Sequence, residues 1–366
     1  MITFPTKIRE IQKRIEQIDP VRYARSRNFS DGAVTYLSPY LSRGVISTKQ
    51  VFEHLLSLNL PWHRIEKLVQ ELAWRDYWQK KWQQTEDIDV DLKNIQSPTL
   101  SRKIPSAIVN HSTSISALDL SIKQMYESGY MHNHLRMYTA GICCNIGQYH
   151  WLNPAKWMYY HLFDGDWGSN ALSWQWVAGT NSSKKYIANQ ENINKYCKTK
   201  DMATFLDKSY QELSSYSYVP LELSSEDDLI LNCTLPKNEL SVIDKDIPTL
   251  IYNSYNLDIN WKKNLNSNRI FLLEPSHFSK YPVSKNVMNF FLEMSKEISG
   301  ITVAVMEFEE LASIIGNSSN IYYKEHPFNN HYAGNLEERD WIFPNLEAKG
   351  SFFNYWKKGI KNYNLK

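Results

Sequence analysis

The stretch FDGDWGSNALSWQW, residues 163–176, carries the densest chemistry in the chain. Asp164 and Asp166 sit in a Gly-rich turn ahead of a predicted helix, and Asn170 and Trp174 follow four apart on one face of it. Two close carboxylates fit a calcium loop or a glycoside hydrolase pair. The later ligands of an EF-hand are missing, however, and the Asn/Trp pattern adds nothing to glycoside chemistry. QELAWRDYW (70–78) sets Glu71, Trp74, Arg75 and Trp78 along one helical face. Taken alone, Trp74, Trp78 and Trp82 read as core and Glu71 with Arg75 as a surface ion pair. The same set can also hydrogen-bond a base edge, stack a ring and neutralise a phosphate.

GYMHNHLRM (129–137) opens a helix with Asn133 and Met137 on one face and His132 and Arg136 on another. His132 and His134 are two apart and diverge on a helix, so they make no metal pair and no metal site is expected. In DGAVTYLSPYLSRGVIS (31–47), Ser38 reads as an N-cap and Pro39 as the first helical residue. Thr35 and Ser38 hydroxyls before that helix N-terminus form a seat for a phosphate group.

These residues need a scaffold. The chain has 366 residues, 42% of them hydrophobic, and a net charge of +2. Residues 1–200 hold 25 Lys and Arg against 17 Asp and Glu, whereas residues 201–366 hold 16 against 22. A basic first part and an acidic second part imply that only the first meets a polyanion. No run approaches 18 apolar residues, which excludes a membrane span, and the charged N-terminus is no secretory signal. Four cysteines without CxxC spacing exclude a disulfide framework, a zinc ribbon and an iron–sulfur site. A soluble cytoplasmic protein is expected.

Apolar residues recur at helix spacing over 5–18, 47–58, 62–84, 115–128, 130–149, 154–162 and 170–177. Nine of the twelve Trp lie in this first part, and composition alone leaves open a large aromatic core or an electron-transfer or base-stacking role. From about 215 the texture becomes that of a linker. Short β-like runs follow at 250–253, 269–274, 302–306 and 321–324, with helices at 284–298 and 307–315 between them. That alternation predicts a parallel α/β domain, although neither GxGxxG nor a P-loop supports nucleotide binding there. The strand-end segments LLEPSHF (272–278) and YKEHPF (323–328) stand where open α/β sheets bind ligands or simply turn. Residues 351–361 read as a final helix.

Together and in this order, the four motifs resemble the photolyase/cryptochrome family over residues 20–197. The resemblance implies a mainly α fold: an all-helical FAD-binding domain over 1–200, a linker over 201–235, a smaller Rossmann-like α/β domain over 236–350 and a helix over 351–366. Family members usually carry the α/β antenna domain before the FAD domain, so the region after it here reads as a rearranged or substitute antenna domain whose chromophore, if any, the sequence does not name.

The resemblance further implies that Tyr23, Thr35, Leu37, Ser38 and Arg75 line the FAD phosphates and ribityl chain. Arg136 would pair with Asp164 beside the flavin ring, Asp166 would bond its polar edge, and Asn170 would face flavin N5. Glu71, Trp74, Tyr130, Asn133 and Met137 would receive a pyrimidine dimer flipped out of UV-damaged DNA. Asn133 and Met137, where (6-4)-specific members place His, imply the cyclobutane dimer as substrate. Lys184 and Lys185 would hold DNA phosphates. Trp174 and Trp151 match the inner two members of an electron-transfer chain, but the block for the third, 100–112, has no Trp; either another aromatic such as Trp157 or Tyr159 ends the chain, or reduction follows another route. The implied activity is light-driven carbon–carbon bond cleavage by a monomer, associated with the nucleoid through DNA. The alternative is a cryptochrome-like blue-light receptor.

Overall fold

The structure, a computed structural model, describes residues 2–363. The chain forms two compact units, each assembled from separate stretches: 21–34 with 85–231 in one, and 4–20, 35–84 and 232 onward in the other. Residues 35–84 therefore leave the helical domain expected over 1–200 and share a unit with the C-terminal part. The cause lies in one face of the helix Trp62–Gln83. Asp76 accepts from the Ile342 amide at 2.8 Å, the Lys80 ammonium donates to the Phe343 and Leu346 carbonyls, and the Tyr77 hydroxyl donates to Gly350.

The first unit is helical: Ser116–Ser128, Asn133–Gly141, Leu152–His161, Trp167–Ala178 and Gln190–Cys197 carry most of it. Trp151, Trp157 and Trp167 are buried in it, so the aromatic enrichment is here a core. The helix expected over 130–149 is shorter. Residue His132 is extended and caps the N-terminus, and Ile142–Ile146 widens into a π turn. The expected linker is partly structured: Ser209 and Glu212 close a capping box on Tyr210–Ser214, Leu213 and Leu223 are buried, and β2 (Glu226–Asp227) pairs antiparallel with β1 (Ile104–Pro105).

In the second unit the helices Ile8–Glu16, Thr48–Ser57 and Trp62–Gln83 accompany a five-stranded sheet. Its strands are β3 (Thr249–Tyr252), β4 (Asn268–Leu273), β5 (Ile301–Val305), β6 (Ile321–Lys324) and β7 (Asn335–Glu337), ordered β5-β4-β3-β6-β7 and all parallel. The four sequence-read strands are present within one residue. β7 was not expected, because three residues at a polar edge carry no apolar alternation. β3 is buried at every position, as a central parallel strand with both faces covered must be. Phe308–Ile315 packs Phe308 and Leu311 against Ile270, Leu272 and Ala304. The strand order reverses between β3 and β6, which is a topological switch point. The helix Lys285–Ser295 starts on Ser284, and the predicted last helix is present as Phe352–Asn362, capped by Ser351.

Candidate functional site

In the first unit the motifs 129–137 and 163–176 are brought together by a glycine. Gly129 adopts φ +66, closing the helix Ser116–Ser128, and its carbonyl accepts from the Phe163 amide at 2.8 Å. A Cβ there would lie 2.4 Å from the Phe163 ring, so only glycine lets the Asp-Gly-Asp turn sit so close. Arg136 then reaches Asp164: one guanidinium nitrogen donates to both carboxylate oxygens at 3.0 and 2.9 Å, and Nε donates to the Met131 carbonyl at 2.8 Å. Asp164 is buried, and the guanidinium also lies 5.7 Å from the Tyr130 ring centre.

Asp166 is the N-cap of Trp167–Ala178 and accepts from the Ser169 amide at 2.6 Å, so a second buried carboxylate sits at a helix N-terminus, where the dipole favours it. One turn on, the Asn170 amide nitrogen donates to the Ala155 carbonyl at 2.8 Å, which fixes its side chain. Asn133 and Met137 do share a face, with Nδ2 3.8 Å from Sδ. His132 lies off the helical face given to it: as N-cap it accepts from the His134 amide, and burial pulls its pKa down to about 4, keeping it neutral. Lys185 is directed to the Ser97 carbonyl and burial lowers its pKa, so it is engaged within the chain, whereas Lys184 is exposed.

Trp174 and Trp151 are buried, and the Trp151 indole N–H donates to Asp91 at 2.7 Å, a residue that sequence reasoning passed over. Asp91 also lies 3.4 Å from His150 Nε2. Trp157 and Tyr159, the substitutes for the third member, are buried as well. Tyr23 is half-buried in the short helix Pro20–Ser26.

In the second unit the phosphate seat differs from expectation. Leu37, not Ser38, is the N-cap of the helix Ser38–Ser42; it has helical angles and offers no side-chain acceptor. Tyr36 takes φ +52 just before it, so the chain turns one residue early and Ser38 becomes the first helical residue. The Leu37 amide lies 3.4 Å from Thr35 Oγ1. Arg75 donates to the buried Ser42 hydroxyl at 2.8 Å, and Glu71 takes Lys67 as an ion-pair partner at 3.3 Å.

Trp74 is not an open platform. Phe352 lies on it face to face, centroids 3.6 Å apart and 11° from parallel, while Trp78 leans against it at 5.2 Å. Only the sequence SFFNYWKK hinted at this partner. Asp76 and Lys80 are the other unforeseen groups. Asp76 accepts from Thr48 at 2.7 Å and from Ile342, yet burial pushes its pKa up to about 6; burial also lowers that of Lys80.

At the switch point the loops after β3 and β6 line a cleft with Asn256, Tyr255, Glu325 and His326. Of the two strand-end segments, YKEHPF thus lines a cleft. LLEPSHF instead builds a closed network in which Glu274 accepts from Tyr332, His331 and the Phe308 amide. Among the described residues no group of three His, Cys, Asp or Glu is placed to hold a metal, and no helix is long and apolar enough to cross a membrane.

Residues 68–221 match the family model for the FAD binding domain of DNA photolyase. A deoxyribodipyrimidine photo-lyase of Alkalihalophilus pseudofirmus is 24% identical over 63% of this chain and 51% of its own length; one of Agrobacterium fabrum is 28% identical over 43% and 34%. The chain spans about half or less of the length of these curated relatives. A class III photolyase structure from Agrobacterium tumefaciens superposes on 52% of this chain and 41% of its own, at 24% identity and a TM-score of 0.46. The family that the four motifs resemble is also the one the family model and the curated relatives are drawn from: residues 68–221 are similar to the FAD binding domain of DNA photolyase.

Proposed function

We propose that the chain binds FAD and, with it reduced and excited by light, splits cyclobutane pyrimidine dimers in DNA. The observation that carries this is the pairing of Arg136 with Asp164 beside the capped Asp166 and the fixed Asn170. The polar edge of a flavin ring alternates N–H donors with carbonyl acceptors. A guanidinium held in place by one carboxylate, with a second buried carboxylate close in sequence, supplies the opposite alternation, so the donor set fits the group. Tyr23, in the same unit as this pair, would line the FAD phosphates and ribityl chain.

FAD supplies the light absorption and the one-electron chemistry when bound; the protein's part is to orient it and to set the charge around it. Tyr130, Asn133 and Met137 would meet the flipped lesion. Extrusion costs least for a base already poorly stacked. No side chain acts as a nucleophile.

The second reading is a light receptor without repair. The Trp74–Phe352 stack favours it, because the ring given to the lesion already has an aromatic partner. Illumination of the reduced, FAD-loaded protein with a dimer-containing oligonucleotide separates the two. Restored thymines are expected; FAD bound and reduced with no restoration selects the receptor.

A further inference from the structure

The cleft at the switch point lies wholly within the second unit, and a glycine shapes it. Gly44 takes φ +62, and a Cβ on it would stand 2.3 Å from the Tyr255 carbonyl oxygen. The loop before the helix Thr48–Ser57 therefore runs directly against the loop after β3, and the Leu257 amide fastens it by donating to the Arg43 carbonyl at 2.9 Å. Ser47, the N-cap of that ten-residue helix, thus lines the same space as Asn256, His326 and Arg339. These last three follow the carboxyl ends of β3, β6 and β7, which are neighbours in the sheet.

The cleft has donors to spare, while its acceptors are engaged. His326 is 4% exposed; its Nδ1 accepts from the Phe328 amide at 3.2 Å, which puts the ring proton on Nε2, and that N–H has no acceptor. Asn256 is 6% exposed, and its Nδ2 likewise has no acceptor. Arg339 donates through one nitrogen to Gln79 at 2.9 Å and lies over the Trp341 ring, with no carboxylate in ion-pair reach among the described residues. The carboxylates of the lining are bonded within the chain. Asp76 accepts from Thr48 and Ile342, Asp258 pairs with Lys324 at 3.2 Å, and Glu325 accepts from the Trp341 indole and the Arg339 amide. Asp340, the fourth, is exposed to water.

We infer that this cleft binds a phosphate group, with the Asn256 amide, the His326 Nε2–H and the Arg339 guanidinium donating to its oxygens beside a helix N-terminus. A sugar or other polyol needs acceptors for its hydroxyls, and those of the cleft are taken. A phosphate presents three oxygens to donors arriving from three strands, where a planar carboxylate presents two. The free space of about 50 Å³, room for about four water molecules, admits one such group and not a whole nucleotide. The site is independent of the flavin reading, and a chain that takes up no FAD still binds phosphate.

The test is calorimetric titration of the full chain with inorganic phosphate at fixed ionic strength. Thermal unfolding is read alongside, because a ligand that binds only the folded chain raises its melting temperature. One saturable site per chain is expected. Asn256→Asp, which puts a negative charge in place of a donor, and Arg339→Gln are each expected to weaken it about ten- to a hundredfold. Lys123→Ala, on an exposed position of the first unit, keeps the parent affinity. Arg339 is only half-buried, so its variant decides the matter where Asn256→Asp does not fold. Phenyl phosphate separates two sources of the same group: binding equal to that of inorganic phosphate assigns the site to the end of a larger molecule, and no binding assigns it to the free ion. Acetate that binds as tightly as phosphate overturns the phosphate assignment. A parent without saturable binding, or folded Asn256→Asp and Arg339→Gln proteins with the parent affinity, overturns the site.

Discussion

Two buried aspartates, one in each unit, are held by different means. Asp164 takes two hydrogen bonds from a guanidinium; Asp76 takes one from a hydroxyl and one from a backbone amide, and burial outweighs both, with its pKa pushed up to about 6. A charged partner makes a buried carboxylate a fixed feature, whereas neutral donors leave it able to lose its charge near neutral pH. The first suits a site that must present one charge pattern to a ligand. The second suits a joint within the second unit, where Asp76 and Lys80 tie the long helix to 342–346.

The sharpest way to break the contrast is Arg136→Ala, which leaves Asp164 buried without its guanidinium. Losing one partner of a buried pair costs about 3–5 kcal/mol. Urea unfolding should show a loss of that order, with FAD uptake abolished; a variant that unfolds with the parent would remove Asp164 from the paired class.

Asp76→Asn comes next. The folded pKa of Asp76 lies above its ordinary 3.8, so the stability it contributes is whole below pH 4 and falls as pH rises through 6. At about 1.4 kcal/mol per unit, the shift amounts to roughly 3 kcal/mol between those limits. Asn keeps both contacts if the Thr48 hydroxyl turns to accept. The variant should lose this slope and at pH 8 unfold at higher urea than the parent; an unchanged slope between pH 4 and 7 would refute the assignment.

Much of this was legible from spacing. Helix and strand runs follow from apolar periodicity and caps, and the Arg136–Asp164 pair emerged because family motifs carry it residue by residue. Which stretches pack together was not legible. The face of Trp62–Gln83 bearing Asp76, Tyr77 and Lys80 reads as amphipathic noise until 341–356 supplies its partners, more than 250 residues away. Trp74 shows the same limit. Its type says that it will stack, but its neighbour Phe352 is a matter of tertiary structure. The shifted N-cap at Leu37 arises from the positive φ at Tyr36, a conformation that a tyrosine does not announce.

The smallest expected effect sharpens the contrast most finely. Thr48→Val removes the hydroxyl that donates to Asp76 while keeping shape and burial. A hydrogen bond to a neutral group contributes about 1 kcal/mol and one to a charged group about 1.5–3 kcal/mol. The cost of the variant must therefore grow as Asp76 ionises, from the smaller value at pH 4 to the larger at pH 8. Because the lost bond favours the charged form, the pKa of Asp76 should rise further, and the stability slope should move to higher pH with it. Parallel urea titrations of parent and variant read both changes. A cost independent of pH would mean that Asp76 holds one charge state throughout, and would refute the titration assigned to it.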